Sequence, residues 1–211
     1  MLPGRRVRLG NWETCINDQL DRPEEAATFY RQAAEKYIEI GDVADEGRAR
    51  NNLAKTLCKL HRHDEARQEI LRAIECKAQS GHASEPWTSW SILAEIERDA
   101  GKPAAAAEAK RKAMECYLAY RRDGGENHSS VGRLFHAVTK ALNAKQKSEA
   151  QRLITEYREA WKQYENPEAD ILQSIVDGSR DRTLADAPEL SYSMAAEILF
   201  LIETLEKSEG R

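Results

Sequence analysis

Three stretches of this chain align without gaps: EEAATFYRQAAEKY (24–37), DEARQEILRAIECK (64–77) and AAAAEAKRKAMECY (104–117). Ala26, Ala66 and Ala106 recur at intervals of 40 residues, and so do Ala33, Ala73 and Ala113. Upstream, LAKTL (53–57) and LAEIE (93–97) keep the same offset, as do Gly41 and Gly81. A period held over three copies restricts the fold more than any other feature. Each copy must be one supersecondary unit that buries its apolar face against the next.

The unit reads as helix–turn–helix. In the middle copy Ala49, Leu53, Ala54, Leu57 and Leu60 form one stripe, and Ala66, Ile70, Ala73 and Ile74 form another. The alanines matter because helices approach closely where a methyl replaces a large side chain. HRHD (61–64) and DAGKP (99–103) are the intervening turns, with Gly101 suited to a helix C-terminus and Pro103 to the start of the next helix. About ten helices and little or no strand are expected.

Composition agrees with this pattern. Of 211 residues, 32% are charged and 41% hydrophobic, which is the balance of soluble helices. The net charge of −4 gives no support to nucleic-acid binding, and Arg5, Arg6 and Arg8 are too short a basic run to change that. Cys15, Cys58, Cys76 and Cys116 include no C-x-x-C pair and read as reduced thiols. The opening MLPGRRVRLGNWE has positives without an apolar stretch behind them, and the apolar run ILFLI (198–202) is far too short to span a bilayer. A soluble, cytoplasmic protein with no membrane partner is expected.

A large residue, then Leu-Ala, a turn, Glu-Ala and a later Ala resembles the tetratricopeptide (TPR) pattern. Arg50 or Trp90 fills the large position, Leu53-Ala54 or Leu93-Ala94 the close-contact pair, and Ala66 or Ala106 with Ala73 or Ala113 the small positions of the second helix. The usual period is about 34 residues, so this chain carries longer helices. That form is similar to arrays in kinesin light chains, in bacterial peptide sensors, and in arrays appended to bacterial signal-transduction ATPases and caspase-like proteases. The resemblance implies an all-α, right-handed α-solenoid of TPR hairpins with a C-terminal helical cap.

Residues 1–122 are then three units. The first is degenerate: NWETCINDQLDRP places Trp12, Ile16 and Leu20 on a stripe but lacks the Leu-Ala pair. Gly124-Gly125 marks a break, and residues 123–166 read as a divergent fourth hairpin. Residues 167–211 read as capping helices, one opened by Pro167 and the last opened by Pro188 and running through Leu205. Its apolar side is Leu190, Met194, Ile198, Ile202 and Leu205.

Motifs for chemistry are missing. There is no phosphate-binding Gly-rich loop, G-x-S-x-G or H-E-x-x-H. His61 and His63 beside Asp64 supply two metal ligands at most, fewer than a site needs. His136 reads as a groove or core-edge histidine, and Cys58 as an inert thiol without an activating neighbour. Trp12, Trp87, Trp90 and Trp161 read as packing residues. No catalytic residue, metal or cofactor is expected.

What remains is the concave groove that the TPR resemblance implies, lined by the first helix of each unit. Arg48, Asn51, Asn52, Lys55 and Lys59 fall on or near that side in the middle unit, and Thr88, Ser91, Ile92 and Glu95 in the next. An Asn amide both donates and accepts, so it can hold the backbone of an extended peptide. The competing reading of Asn51 and Asn52 is a structural bond to a neighbouring helix. Ser91 and Ile92 stand where chaperone-binding TPR domains bring Lys or Arg, which disfavours that ligand.

The leading expectation is a non-catalytic scaffold or sensor module that binds a protein or peptide partner. One alternative is the regulatory TPR portion of a larger bacterial signalling ATPase or caspase-like protease system. Another is a self-associating structural module that forms a homo-oligomer.

Overall fold

The computed structural model describes residues 22–79, 81–164 and 166–210. Trp12, Ile16 and Leu20, the expected first helix, lie outside them, as do Cys15 and the Arg5–Arg8 run. The described residues form nine α-helices and no strand. They are α1 (Pro23–Ile40), α2 (Val43–Lys59), α3 (His63–Ala78), α4 (Pro86–Asp99), α5 (Pro103–Arg122), α6 (Ser130–Asn143), α7 (Lys147–Ala160), α8 (Pro167–Val176) and α9 (Tyr192–Glu209). Among the described residues no helix is long and apolar enough to cross a membrane.

The described residues divide into two compact units, one ending at Ala113 and one beginning at Met114. The division falls inside α5, which itself ends at Arg122. Just beyond its end Gly124 adopts φ +87, and its N–H reaches back to Arg121 O at 3.2 Å.

In the first unit, helix starts and stops follow from local chemistry. Pro23 opens α1 with Glu24 and Glu25 in its first turn, and Pro86 opens α4. The Asp42 side chain accepts from the Asp45 N–H at 3.1 Å and caps α2. Gly41, His61, Gly81 and Gly101 all adopt positive φ, 20 residues apart. At three of these stops the next residue's N–H reaches back over the turn: Asp42 to Tyr37 O, Arg62 to Leu57 O and Lys102 to Glu97 O, at 2.8–2.9 Å. Carbonyls that the helix would leave unpaired are thereby satisfied.

Successive helices α1 to α4 pack in order, and α2 also touches α4. Leu53, Ala54, Leu57, Ala66, Ile70, Ala73 and Ile96 have no exposed surface, and Ala26, Ala27, Tyr30, Ile92, Leu93 and Ala109 complete the core. The third copy departs from the repeat. Ala26 and Ala66 are fully buried, whereas Ala106 and Ala94 are only partly so. Gly47 sets the approach of α2 to α3, since a Cβ there would stand 3.1 Å from Cys76 Cβ.

Ion pairs tie the same helices. Arg50 donates to Glu46 at 2.8 Å and to Glu69 on α3, and Arg72 reaches Glu46 at 3.1 Å. Burial pushes the Glu46 carboxyl up, but hydrogen bonds from Arg50 and Arg72 hold it below its ordinary range. Arg67 forks onto Glu97 from α3 to α4.

In the second unit α6, α7 and α8 pack in order, and α9 lies on α6, on α8 and on a 3₁₀ turn at Arg182–Asp186. Phe135, Val138, Ile154, Leu172, Ile175, Ile198, Leu201 and Ile202 form the core. Of the expected α9 stripe, Leu190, Ile198, Ile202 and Leu205 are buried and Met194 is half-buried. The helix starts at Tyr192, later than Pro188, because the Ser191 hydroxyl accepts from the Met194 N–H at 3.2 Å and caps it.

Glu197, 2% exposed, is the polar centre of this unit. Its Oε1 accepts from Tyr117 Oη at 3.1 Å and Asn127 Nδ2 at 3.0 Å. Arg121 Nε stands 2.9 Å away without hydrogen-bond alignment, while its guanidinium stacks 4.8 Å from the Phe200 centroid. Burial, and then the Glu197 charge, push the Tyr117 hydroxyl well above its ordinary range. Removing one partner of a buried ion pair strands the other, at about 3–5 kcal/mol. Arg121→Ala should therefore lower urea stability by that order, with partial recovery on adding Glu197→Gln. A loss below about 1 kcal/mol would show that the pair does not hold this core.

Candidate binding cleft

One cleft of the first unit, about 470 Å³, lies between α2 and α4. Asn52, Lys55, Cys58 and Lys59 line it from α2, and Ile92, Glu95, Ile96 and Asp99 from α4. Tyr30 on α1 and His61 in the turn after α2 complete it. Its floor is the buried Tyr30, Ile92 and Ile96, and its rim is the exposed Lys55, Lys59, Glu95 and Asp99. Spacing on α2 explains the rim: residues 52, 55 and 59 are three and four apart and so share one face.

Five of the nine expected groove residues, Asn52, Lys55, Lys59, Ile92 and Glu95, meet here. Four do not. Arg48 is exposed and pairs with Asp45 one turn earlier, and Ser91 is half-buried outside the lining. Asn51 is 8% exposed, and its Oδ1 accepts from the Ser89 hydroxyl at 2.8 Å. Asn51 is thus a tie from α2 to α4, and the two adjacent amides do different work. One residue of helix turns the side chain by about 100°, which takes Asn51 into the interface and leaves Asn52 in the cleft.

Thr88 also works structurally, accepting from Lys77 Nζ at 2.7 Å and donating to Glu85 O at 2.7 Å. Tyr30, Cys58, His61, Ile96 and Asp99 were not expected in the lining. Asp99 had a signal: it stands 40 residues after Lys59, as Glu95 stands after Lys55.

Cys58 touches two titratable groups. Its S–H donates to Asp99 Oδ2 at 3.6 Å, and His63 Nδ1 lies 4.0 Å from the sulfur. Burial, and then the Asp99 charge, push the thiol up to about 11. Asp99 bonds the sulfur and so does not orient His63 as an activating base would require. Cys76 and Cys116 are likewise raised, first by burial. Among the described residues no group of three or more His, Cys, Asp or Glu is placed to hold a metal ion. Trp87 is buried, and Trp90 lies under Lys112 Nζ at 4.6 Å.

No protein-family model matches the chain, and a search of curated proteins finds no match either.

Two outcomes follow from this geometry. A double-mutant cycle on Asn51→Ala and Ser89→Ala should return a coupling of about 1 kcal/mol in thermal or urea unfolding. Additive effects would show that the two side chains act separately. Iodoacetamide should modify Cys58 slowly at pH 7, where roughly one thiol in ten thousand is thiolate, and about tenfold faster per pH unit until near 11. Peptide mapping by mass spectrometry reads this, and a rate that levels off near pH 8 would contradict it.

Proposed function

We propose that this chain is a non-catalytic, cytoplasmic module that binds a protein or peptide partner in the cleft between α2 and α4. In this reading the helices are hairpins of a right-handed TPR-type α-solenoid, and α8 and α9 are its cap. The 40-residue period, the stops every 20 residues and the in-order packing of α1 to α4 support the repeat. Free thiols at Cys58, Cys76 and Cys116 suit a reducing compartment.

The observation that carries the binding reading is the cleft's construction: a buried apolar floor beneath an amide and charges of both signs. An apolar floor supplies affinity, and a few placed polar groups supply orientation. Asn52 offers a donor and an acceptor to a peptide backbone, and the raised thiol of Cys58 leaves the cleft without a ready nucleophile.

The test is peptide display against the full chain, followed by fluorescence anisotropy of the enriched peptides. Glu95→Trp, an exposed rim substitution that fills the cleft, should weaken them about tenfold or more, ~1.4 kcal/mol, with helicity and melting nearly unchanged. Equal affinity for the variant would place binding elsewhere.

A further inference from the structure

The two walls of the cleft occupy equivalent positions of the repeat and carry opposite charge. Lys55 and Lys59 on α2 correspond, 40 residues on, to Glu95 and Asp99 on α4. All four side chains line the same cleft, and all four residues are exposed. Lys55 and Glu95 take part in no ion pair among the described residues, so these two charges are not spent on each other. Asp99 is less open, with Arg98 Nε at 3.3 Å and the Cys58 thiol at 3.6 Å.

The spacing along each wall is specific. Lys55 and Lys59, like Glu95 and Asp99, are four residues apart on a helix, a rise of about 6 Å. In an extended segment residues i and i+2 lie about 6.7 Å apart on one edge, while i+1 and i+3 lie on the other. An extended chain running along the cleft therefore meets each wall with every second side chain. With a basic wall on one side and an acidic wall on the other, charge matches only when the two edges of the ligand differ in sign. A helical ligand would have to place its acidic and basic residues at three-to-four-residue spacing on opposite sides, a sequence pattern different from strict alternation.

We propose that the cleft recognises an extended peptide segment in which acidic and basic residues alternate, the acidic edge on Lys55 and Lys59 and the basic edge on Glu95 and Asp99. This rests on the cleft being the binding site, as argued above. Specificity arises from repulsion as well as attraction, because a uniformly acidic or basic segment sets like charges against one wall. Exposed pairs contribute little each, so the preference should be moderate and should weaken with salt.

The probes are labelled octapeptides: one alternating Glu and Lys, one with four Glu followed by four Lys, and one of Glu alone. Anisotropy at low salt with the full chain should show the alternating peptide binding at least fivefold tighter than its block isomer, with the difference shrinking at high salt. Glu95→Lys with Asp99→Lys makes both walls basic and should move the preference to the all-Glu peptide. Equal binding of the alternating and block peptides would overturn the proposal. If display-selected peptides still depended on Glu95→Trp, the cleft would stand as a binding site without this specificity. Alternating-peptide binding that is insensitive to Asn52→Trp and to Glu95→Trp would overturn both readings.

Discussion

A chain that reverses direction every 20 residues must leave each helix without abandoning that helix's last carbonyls. In the first unit this falls to four residues in the left-handed region, Gly41, His61, Gly81 and Gly101. The reach-back bonds from residues 42, 62 and 102 fix where α1, α2 and α4 end. Where a helix ends determines which alanines face the next one. Ala54, Ala66 and Ala73 are fully buried, and their small size lets neighbouring helices close on one another. The cleft follows from the same constraint, since α2 and α4 lie side by side only because α3 turns the chain back between them.

Packing of small and aliphatic residues brings helices together but does not strongly select one register over a slipped one. The buried polar groups do that here. Asn51 with Ser89 ties α2 to α4, Arg67 with Glu97 ties α3 to α4, and the Arg50, Glu46, Glu69 and Arg72 group ties α2 to α3. A one-residue slip would leave the buried members, Asn51, Ser89, Glu46 and Glu97, without their partners. The second unit concentrates the same role in Glu197, with donors Tyr117 and Asn127 and the ion-pair partner Arg121.

Much of this was legible in the sequence, because hairpins come from periodicity and periodicity is local. The stripes of α2 and α3, the stop at Gly101, the start at Pro167 and the apolar side of α9 could all be read from spacing. Asn51 could not. Its neighbour Asn52 is chemically identical, and only Ser89, 38 residues away, decides which amide is structural. The start of α9 was misplaced for a related reason: Pro188 is a generic start signal, whereas Ser191 caps through a hydrogen bond that depends on the turn before it. The far wall of the cleft was half legible. Glu95 shares a helical face with the other groove residues of its unit, whereas Asp99 is marked only by its place one period after Lys59, with the sign reversed.

His61 gives this architecture one further consequence. It occupies the turn that Gly101 occupies one period later, and its φ of +58 is a conformation that disfavours side chains. Holding a residue other than glycine there costs of order 1–3 kcal/mol. His61 is one of the residues that line the cleft, and its ring lies 5.9 Å from that of His63. Glycine would be the more stable choice and would remove that side chain from the lining. The two turns therefore reverse the chain alike, but the turn at His61 also sets a side chain against the cleft, at a cost in strain that Gly101 avoids one period later.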